Sequence, residues 1–342
     1  MGRLAARLVA TCLATGSALA PTACGGGGRA GAPRPSAAPG PTAIDTDVSR
    51  DALAHELEAT VLEIYSHLTL GNFAAFRDTL AGEEPVALFG VTPGDTVVGM
   101  QPREAGYDRR LYRASSPTVL AKNLEIHVSA DASVGWTFDE LSYRVPFGGR
   151  VASIPVRSTS LFIRDFDRWV LVLEHQSYPT AIDDLRATAA AGHALLPRRF
   201  ASRPLVGPAR ELVRLVGLLH DADAHGGVRI AAGDETLVLL PDRDHELHGA
   251  EAAEAPSLAA LFGPGTTVAL RDYRLGIAKN QSIAWLAANL VVHTLVNDER
   301  VEIGMRGTYV FRRAARGWEL VQMHVSAPVG ERELSRRVFG SP

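Results

Sequence analysis

The chain has 342 residues, with 35 Lys and Arg against 38 Asp and Glu, so its net charge is −3 at pH 7. This balance gives no support for nucleic-acid binding, which depends on a basic surface. The only cysteines are Cys12 and Cys24. We therefore expect no disulfide, no Cys-based metal site and no thiol nucleophile in the mature protein.

The first 24 residues have the pattern of a secretion signal. Arg3 and Arg7 provide positive charge, and the apolar run over residues 8–20 is too short to span a bilayer as a mature helix. One interpretation places an ordinary signal-peptidase site at residues 18–20, which would give a secreted protein.

A second interpretation is a bacterial lipobox at residues 21–24, although Pro21 stands where such sites usually carry Leu. It predicts a lipid on Cys24. Residues 25–48, rich in Gly, Ala, Pro and Ser, then form a flexible tether. Gly25 differs from the Asp that retains some lipoproteins at the inner membrane. We therefore expect a lipoprotein of the bacterial cell envelope, on the outer membrane, with secretion as the alternative.

Residues 49–181 predict a first domain, in which helices precede strands. Ser49 is a typical N-cap, and the apolar residues that follow it recur at helical spacing. A short helix over 73–80, strand-like pieces around residues 86–98 and a weak third helix over 102–114 come next. Four long strands then predict an antiparallel meander, over residues 118–129, 133–145, 151–165 and 169–178.

Residues 209–332 predict a second domain with the same order of elements. It is joined to the first by a connector, residues 182–208, with a helix over 182–193 and an extended segment containing three prolines. The second domain begins with a helix over 209–220. Its remaining elements are a strand over 233–240, a helix over 251–262, and strands over 266–277, 282–295, 301–313 and 318–326.

The two domains repeat each other at a constant spacing of 149 residues. No net insertion or deletion occurs within this stretch, which indicates two copies of one structural unit. The repeated residues are Trp136, Leu141, Arg157, Thr159, Trp169, Leu171, His175, Ser177 and Pro179, matched by Trp285, Leu290, Arg306, Thr308, Trp318, Leu320, His324, Ser326 and Pro328.

The last two strands of each copy carry a family resemblance. In residues 306–326, a Thr-bearing strand ends in a basic turn and is followed by Gly, Trp, alternating apolar residues and His-x-Ser. This pattern resembles the SnoaL-like branch of the nuclear transport factor 2-like fold and the association domain of calmodulin-dependent kinases. It implies an α+β chain with two copies of a cone-shaped fold, in which helices pack on a strongly curved antiparallel sheet. The first copy matches through Thr159, Asp167, Trp169, His175 and Ser177.

Alternation along the last strand predicts two faces. The face with Trp169, Leu171, Leu173, His175 and Ser177 is nearly identical in the second copy, whereas the other face differs. In relatives the outer sheet face commonly packs on a second copy. We therefore expect an intrachain pseudo-dimer with the Trp/His/Ser face at the contact. His175 and His324 are either framework residues there or acid–base groups on a cavity wall.

The cavity face is where a ligand would bind. In the kinase association domain, arginines line this pocket at three positions, which here hold Glu140, Ser160 and Gln176, and Asn289, Tyr309 and Val325. Anion binding is therefore not expected, and no cofactor or metal is implied. The alternative is that these residues fill two closed cores. The candidate cavity residues are Glu140, Ser160, Glu174, Gln176, Asn289, Tyr309 and Met323.

No complete catalytic set is recognisable. Asp139 or Glu140 with Tyr143 is the nearest to a base and donor pair. The polar runs at 220–225 and 242–248 are better explained as a helix end and a solvated loop than as metal sites. We expect a non-catalytic module that binds a small ligand or a protein. The alternatives are an isomerase, dehydratase or cyclase that uses a carboxylate in the first cavity, and a purely structural module.

Overall fold

The computed structural model describes residues 46–82, 86–99, 118–147, 150–193, 196–202 and 205–339. Residues Asp45–Pro342 form one compact unit. The predicted signal, the tether up to residue 45 and the predicted helix at 102–114 lie outside the described residues. No helix in the described ranges is long and apolar enough to cross a membrane.

The first half contains three described helices and seven strands. Its helices are α1 (Thr46–Thr69), α2 (Phe73–Asp78) and α3 (Ile182–Ala190). Its strands are β1 (Val86–Phe89), β2 (Thr96–Gly99), β3 (Thr118–Ala121), β4 (Glu125–Val128), β5 (Val134–Phe147), β6 (Arg150–Asp165) and β7 (Arg168–Ser177).

The second half repeats this arrangement with four helices and six strands. Its helices are α4 (Pro208–His220), α5 (Gly249–Ala252), α6 (Leu258–Phe262) and α7 (Glu331–Phe339). Its strands are β8 (Leu237–Leu239), β9 (Glu246–His248), β10 (Thr267–Ile277), β11 (Ile283–Val296), β12 (Glu299–Ala314) and β13 (Gly317–Ser326).

Each half is built on one sheet, which confirms the predicted α+β class. The strand orders are β2-β1-β7-β6-β5-β3, with β4 also on β5, and β10-β11-β12-β13-β8-β9. The long strands pair antiparallel as predicted, but β1 lies parallel to β7 and β8 lies parallel to β13. The sheets are therefore mixed. On one side of the first sheet, α1 buries the apolar stripe of Leu57, Val61 and Leu68.

Two predicted elements are divided by local chemistry. The strand predicted over 118–129 is broken between β3 and β4, because the backbone N–H groups of Lys122 and Asn123 donate to Asp139 Oδ1, both at 3.2 Å. The equivalent strand β10 runs on with only a bulge, and Ala288 replaces Asp139 there. The helix predicted over 251–262 is interrupted before Pro256, which lacks an N–H, and Ser257 caps α6.

The last helix of each half packs on the other half. α3 lies on β11 and β12, and α7 lies on β6. The two helices have nine residues each and are separated by the same 149 positions as the repeat. The preceding segments also cross over, since Thr180 N–H donates to Pro241 O and Val329 N–H donates to Val91 O. The helix at 182–190 is thus part of the repeating unit as well as of the predicted connector.

Candidate functional site

Six polar side chains lie together on the helix-side face of the first sheet. The strand register places Asp139, Ser158 and Gln176 side by side across β5, β6 and β7. Directly opposite residues of antiparallel strands share a face, so these side chains form one row. The next row on the same face contains Thr137, Ser160 and Glu174. We call these six residues the polar cluster, and all are at most 7 % exposed.

Hydrogen bonds connect the members of the polar cluster that lie on β7. The Tyr143 hydroxyl donates to Gln176 Oε1 at 2.6 Å, and Gln176 Nε2 donates to Glu174 Oε1 at 2.8 Å. Ser158 Oγ is buried between Asp139 and Gln176 and has no hydrogen-bond partner among the described residues. Because an unsatisfied buried hydroxyl costs free energy, this oxygen is suited to a bound polar group.

The ionisation of Asp139 is strongly perturbed. Burial raises the pKa of Asp139 to about 6, against the opposing effect of hydrogen bonds from the backbone of Lys122 and Asn123 and from the Tyr65 hydroxyl. The carboxyl group therefore exchanges a proton close to neutral pH. A buried carboxyl with a hydroxyl beside it can accept or donate a proton, or can bind a hydrogen-bond donor.

The equivalent face of the second half is almost entirely apolar. The six positions hold Leu286, Ala288, Gly307, Tyr309, Met323 and Val325, which occupy the same two rows. Tyr309 lies over Gly307, where a Cβ would overlap its ring. The Tyr309 hydroxyl contacts His220 Nε2 at 2.5 Å, and burial raises the pKa of Tyr309 well above its usual value. Tyr309, Met323 and Val325 are fully buried in the core of this half.

Glu140 and Asn289 were predicted on the cavity face and lie on the opposite face, so this prediction is wrong. Glu140 pairs with Arg157, and Asn289 pairs with Arg306. Side chains of successive strand residues point to opposite faces, and the helix-side face therefore carries Asp139 and its counterpart Ala288. Ser160, Glu174 and Gln176 lie on the helix-side face, as do Tyr309 and Met323.

The opposite sheet faces pack on each other and carry two stacked histidines. The rings of His175 and His324 are 3.9 Å apart and nearly parallel. Each ring bonds to a Thr and a Ser of the other half: His175 to Thr308 (3.1 Å) and Ser326 (2.7 Å), and His324 to Thr159 (3.0 Å) and Ser177 (2.7 Å). These bonds place the predicted His/Ser face at the contact. They account for the His-x-Ser repeat as framework.

Buried arginines join the two halves further out on this face. Arg157 donates to the carbonyl oxygens of Leu240 and Asp242 at 2.7 and 2.8 Å. Arg306 donates in the same way to Gly90 O at 2.5 Å. Burial lowers the pKa of both histidines well below the usual value, and the charges of Arg157 and Arg306 lower it further. The histidines are therefore neutral at pH 7.

The tryptophans of the last strands do not lie at this contact. The prediction that the Trp/His/Ser face forms the contact is therefore correct for the His and Ser residues and wrong for the Trp residues. Leu161 pairs with Leu173 but Phe162 pairs with Leu171, so Val172 is an extra residue that forms a β-bulge. The bulge turns Trp169 towards α1, where it lies near Leu57. A matching bulge at Val321 places Trp318 and Leu320 in the core of the second half.

The polar runs at 220–225 and 242–248 make both local contacts and longer-range ones, such as His220 with Tyr309 and His248 with Glu125 of the first half at 3.5 Å. Asp221 accepts from two backbone N–H groups, and Asp242 Oδ1 contacts His245 Nδ1 at 2.7 Å. Among the described residues, no group of three or more His, Cys, Asp or Glu is placed to hold a metal.

Clefts lie between the halves as well. One cleft, of about 740 Å³, is bordered by the start of α1, the β4–β5 turn and the turn end of β11 and β12 in the second sheet. Two smaller clefts, of about 280 and 290 Å³, share Pro155, Pro179 and Arg243, and Glu140 lines the first of them. The polar cluster lies on the other face of the sheet from Glu140.

Comparisons with known proteins identify the family. The chain is similar to the CamKII hub homology domain of Chlamydomonas reinhardtii (16 % identity, 37 % of this chain and 98 % of that one, TM-score 0.30). It is also similar to an NTF2-like protein with a cystatin-like fold from Novosphingobium aromaticivorans (14 % identity, 36 % and 80 %, TM-score 0.31). A search of curated proteins found no match. The model of the SnoaL-like domain matches residues 57–181 and again 218–330. The chain therefore belongs to the SnoaL-like domain family, with two copies of the domain in tandem.

Proposed function

We propose that the first half binds a small polar ligand through the polar cluster, and that the second half is its structural partner without a ligand site. The observation that carries this proposal is the contrast between equivalent positions. Burying polar groups costs free energy unless they are satisfied, and the second half folds with apolar residues at the same places. The cost at Asp139 and Ser158, each of which has a buried oxygen without a hydrogen-bond partner among the described residues, is therefore not required by the fold, and ligand binding would account for it.

The cluster favours a ligand rich in hydrogen-bond donors. Asp139 and Glu174 provide acceptor oxygens, Ser158 and Ser160 provide hydroxyl groups, and no Arg or Lys belongs to the cluster. A polyol, a sugar fragment or an amine fits this chemistry better than a phosphate or a carboxylate, which require cationic or N–H donors.

The experiment transfers the second half's residues to the first. In the double variant Ser158→Gly/Ser160→Tyr, a tyrosine would occupy the same place as Tyr309 over a glycine. The wild type, purified from its own envelope and examined by native mass spectrometry, should retain a small molecule that the variant lacks. Met323→Leu is the matched control in the second half and should retain it. A wild type without a ligand, or equal retention by the double variant, would contradict the proposal.

An enzyme is the second candidate, and the perturbed pKa of Asp139 favours it. A general base is most effective with a pKa near the working pH, and Asp139 meets that condition beside the Tyr65 hydroxyl. The reaction class would be an isomerisation, dehydration or cyclisation that begins with removal of a proton. If the retained molecule is turned over, Asp139→Asn should abolish turnover while leaving binding within about tenfold. A ligand that stays unchanged over hours supports the binding function.

The location of the protein is a separate proposal, supported by residues 21–28. We propose that a lipid on Cys24 anchors the chain to the cell envelope, on the outer membrane, with residues 25–45 as tether, since residues 46–48 of the predicted tether belong to α1. The intact mass of the protein and its partition into Triton X-114 test this: Cys24→Ser should lose the acyl mass and move to the aqueous phase. A mature N-terminus at residue 21 would instead establish secretion.

A further inference from the structure

Residues 196–202 of the connector lie on the second half, and we call this segment the strap. Arg199 contacts Asp272 at 2.8 Å, and Asn289 Nδ2 donates to the carbonyl oxygen of Arg198 at 3.0 Å. Further along, the backbone N–H of Tyr273 donates to Ser202 Oγ at 3.1 Å. The strap therefore combines an ion pair with backbone hydrogen bonds, as bound peptides do.

The strap also reaches the boundary with the first half. The ring of Phe200 lies 6.3 Å from that of Phe89, at the end of β1. The next residue, Gly90, accepts the hydrogen bond from Arg306. The strap thus covers the corner at which the loop after β1 meets β10 and β11, on the face of the second sheet opposite its helices.

The first half has the corresponding corner. The repeat spacing makes Asn123 equivalent to Asp272 and Glu140 equivalent to Asn289, and each pair is hydrogen bonded: Asn123 Nδ2 to Glu140 Oε2 at 3.2 Å and Asn289 Nδ2 to Asp272 Oδ2 at 3.0 Å. Amide and carboxylate have exchanged places between the halves. Each corner therefore contains one carboxylate that can form an ion pair with an arginine.

In the described part of the chain, no segment covers this corner of the first half. It contains the cleft of about 280 Å³ lined by Glu140, Arg157 and Pro155, which continues into the one of about 290 Å³. Arg157 and Arg243 bring positive charge to this cleft, but Glu246 and Asp242 of the second half lie close enough to Arg157 to offset part of it. Lys122 also lines the cleft, and the equivalent position beside Asp272 in the second half is likewise basic, since it holds Arg271.

We propose that this corner of the first half is a docking groove for an extended peptide segment of a partner protein, with an arginine directed at Glu140. We infer the kind of segment from the chain's own strap, because the strap is bound to the equivalent surface of the second half through Arg199. This site is on the face opposite the polar cluster and is independent of the ligand proposed there.

The test uses the full chain and a fluorescein-labelled peptide with the sequence of residues 196–202. Fluorescence anisotropy should give saturable binding with a dissociation constant below about 1 mM. Glu140→Gln should weaken it about fivefold, the effect of losing one exposed ion pair. Asn123→Asp, which restores the carboxylate found at Asp272, should tighten it by a similar factor. Glu58→Gln, an exposed glutamate on α1, is the matched control.

A second peptide with alanine in place of Arg199 completes a double-mutant cycle. It should bind the wild type about fivefold more weakly and should be insensitive to Glu140→Gln. A photo-crosslinker in place of Phe200 should label the first half near Pro155 or Arg243. Absence of saturation at 1 mM, an unchanged affinity in Glu140→Gln, or crosslinks confined to other surfaces would overturn the proposal. If Glu140→Gln does not fold, as judged by circular dichroism, the tightening by Asn123→Asp decides.

Discussion

The stacked pair of His175 and His324 should make the protein sensitive to acid. Burial and the charges of Arg157 and Arg306 lower the pKa of each ring well below 6.5 in the folded protein. Between that low value and 6.5, the unfolded chain binds protons that the folded chain does not. Stability is therefore complete above pH 6.5 and is lost as the pH falls through 6.5.

The size of the effect follows from two protons. For a residue with an unfolded pKa of 6.5 that stays neutral when folded, the free energy of unfolding falls by about 1.3 kcal/mol between pH 5.5 and 4.5. Two histidines that stay neutral throughout give at most about 2.6 kcal/mol over that interval, and at most about 5 kcal/mol between pH 7.5 and 4.5. Because a whole domain is stable by only about 5–15 kcal/mol, the contact between the halves should open in mild acid.

The assay is urea denaturation at pH 7.5, 6.5, 5.5 and 4.5, for the wild type and for the double variant His175→Asn/His324→Asn. The variant is less stable at pH 7.5, but the difference in unfolding free energy should shrink by up to about 2.6 kcal/mol between pH 5.5 and 4.5. Asp139 titrates in the same range with the opposite sign and is present in both proteins, so it cancels in the difference. Parallel pH profiles of the two proteins would refute the reasoning.

Three further outcomes are expected from urea denaturation. Arg306→Ala should lower the free energy of unfolding by at least about 3 kcal/mol, because it leaves buried carbonyl oxygens without donors, whereas exposed Arg316→Ala should change it by less than about 0.5 kcal/mol. Gly307→Ala should lower the free energy of unfolding by about 1–3 kcal/mol, because the added Cβ overlaps Tyr309. Its control, Gly217→Ala in α4, places a Cβ that meets no atom within 4 Å and should raise the free energy of unfolding by up to about 1 kcal/mol. Relative to the wild type, the free energy of unfolding of Asp139→Asn should rise by about 2.5 kcal/mol between pH 3.8 and about pH 7. A raised pKa stabilises the fold below 3.8, and that stabilisation is lost as the pH rises through 6. A flat difference would contradict the perturbed pKa.

The sequence predicted the features that depend on the repeat. The 149-residue spacing established two α+β units, and the shared His175 and Ser177 indicated the face on which they meet. Helices α3 and α7 are also 149 residues apart, but their equivalence was not predicted. Leu185 and Leu334 are the only identical pair in these two helices.

The faces were harder to predict because strand alternation fails at a bulge. Counting by twos along β7 places Trp169 with His175, but the extra residue Val172 shifts the earlier part of the strand to the other face. The assignment of Glu140 failed for a related reason. The register of β5 on β6 decides whether Asp139 or Glu140 faces the helices, and the sequence does not contain that register.

The placement of each residue explains why some positions agree between the halves and others differ. His175 depends on Thr308 and Ser326, and His324 depends on Thr159 and Ser177. A change on either side would leave a buried ring nitrogen unsatisfied in the other half, so these residues are constrained together.

The polar cluster is not part of this reciprocal set of bonds, because it lies on the other face of the sheet from His175 and Ser177. Its six positions can therefore change in one half without disturbing the other.

Fusion in one chain also permits differences at the contact itself: Asp131 accepts a hydrogen bond at 2.6 Å from Asn280, its counterpart 149 residues later. In a dimer of identical first halves, Asp131 would meet a second Asp131. A single chain thus stabilises a pairing in which only one half needs to keep a binding site.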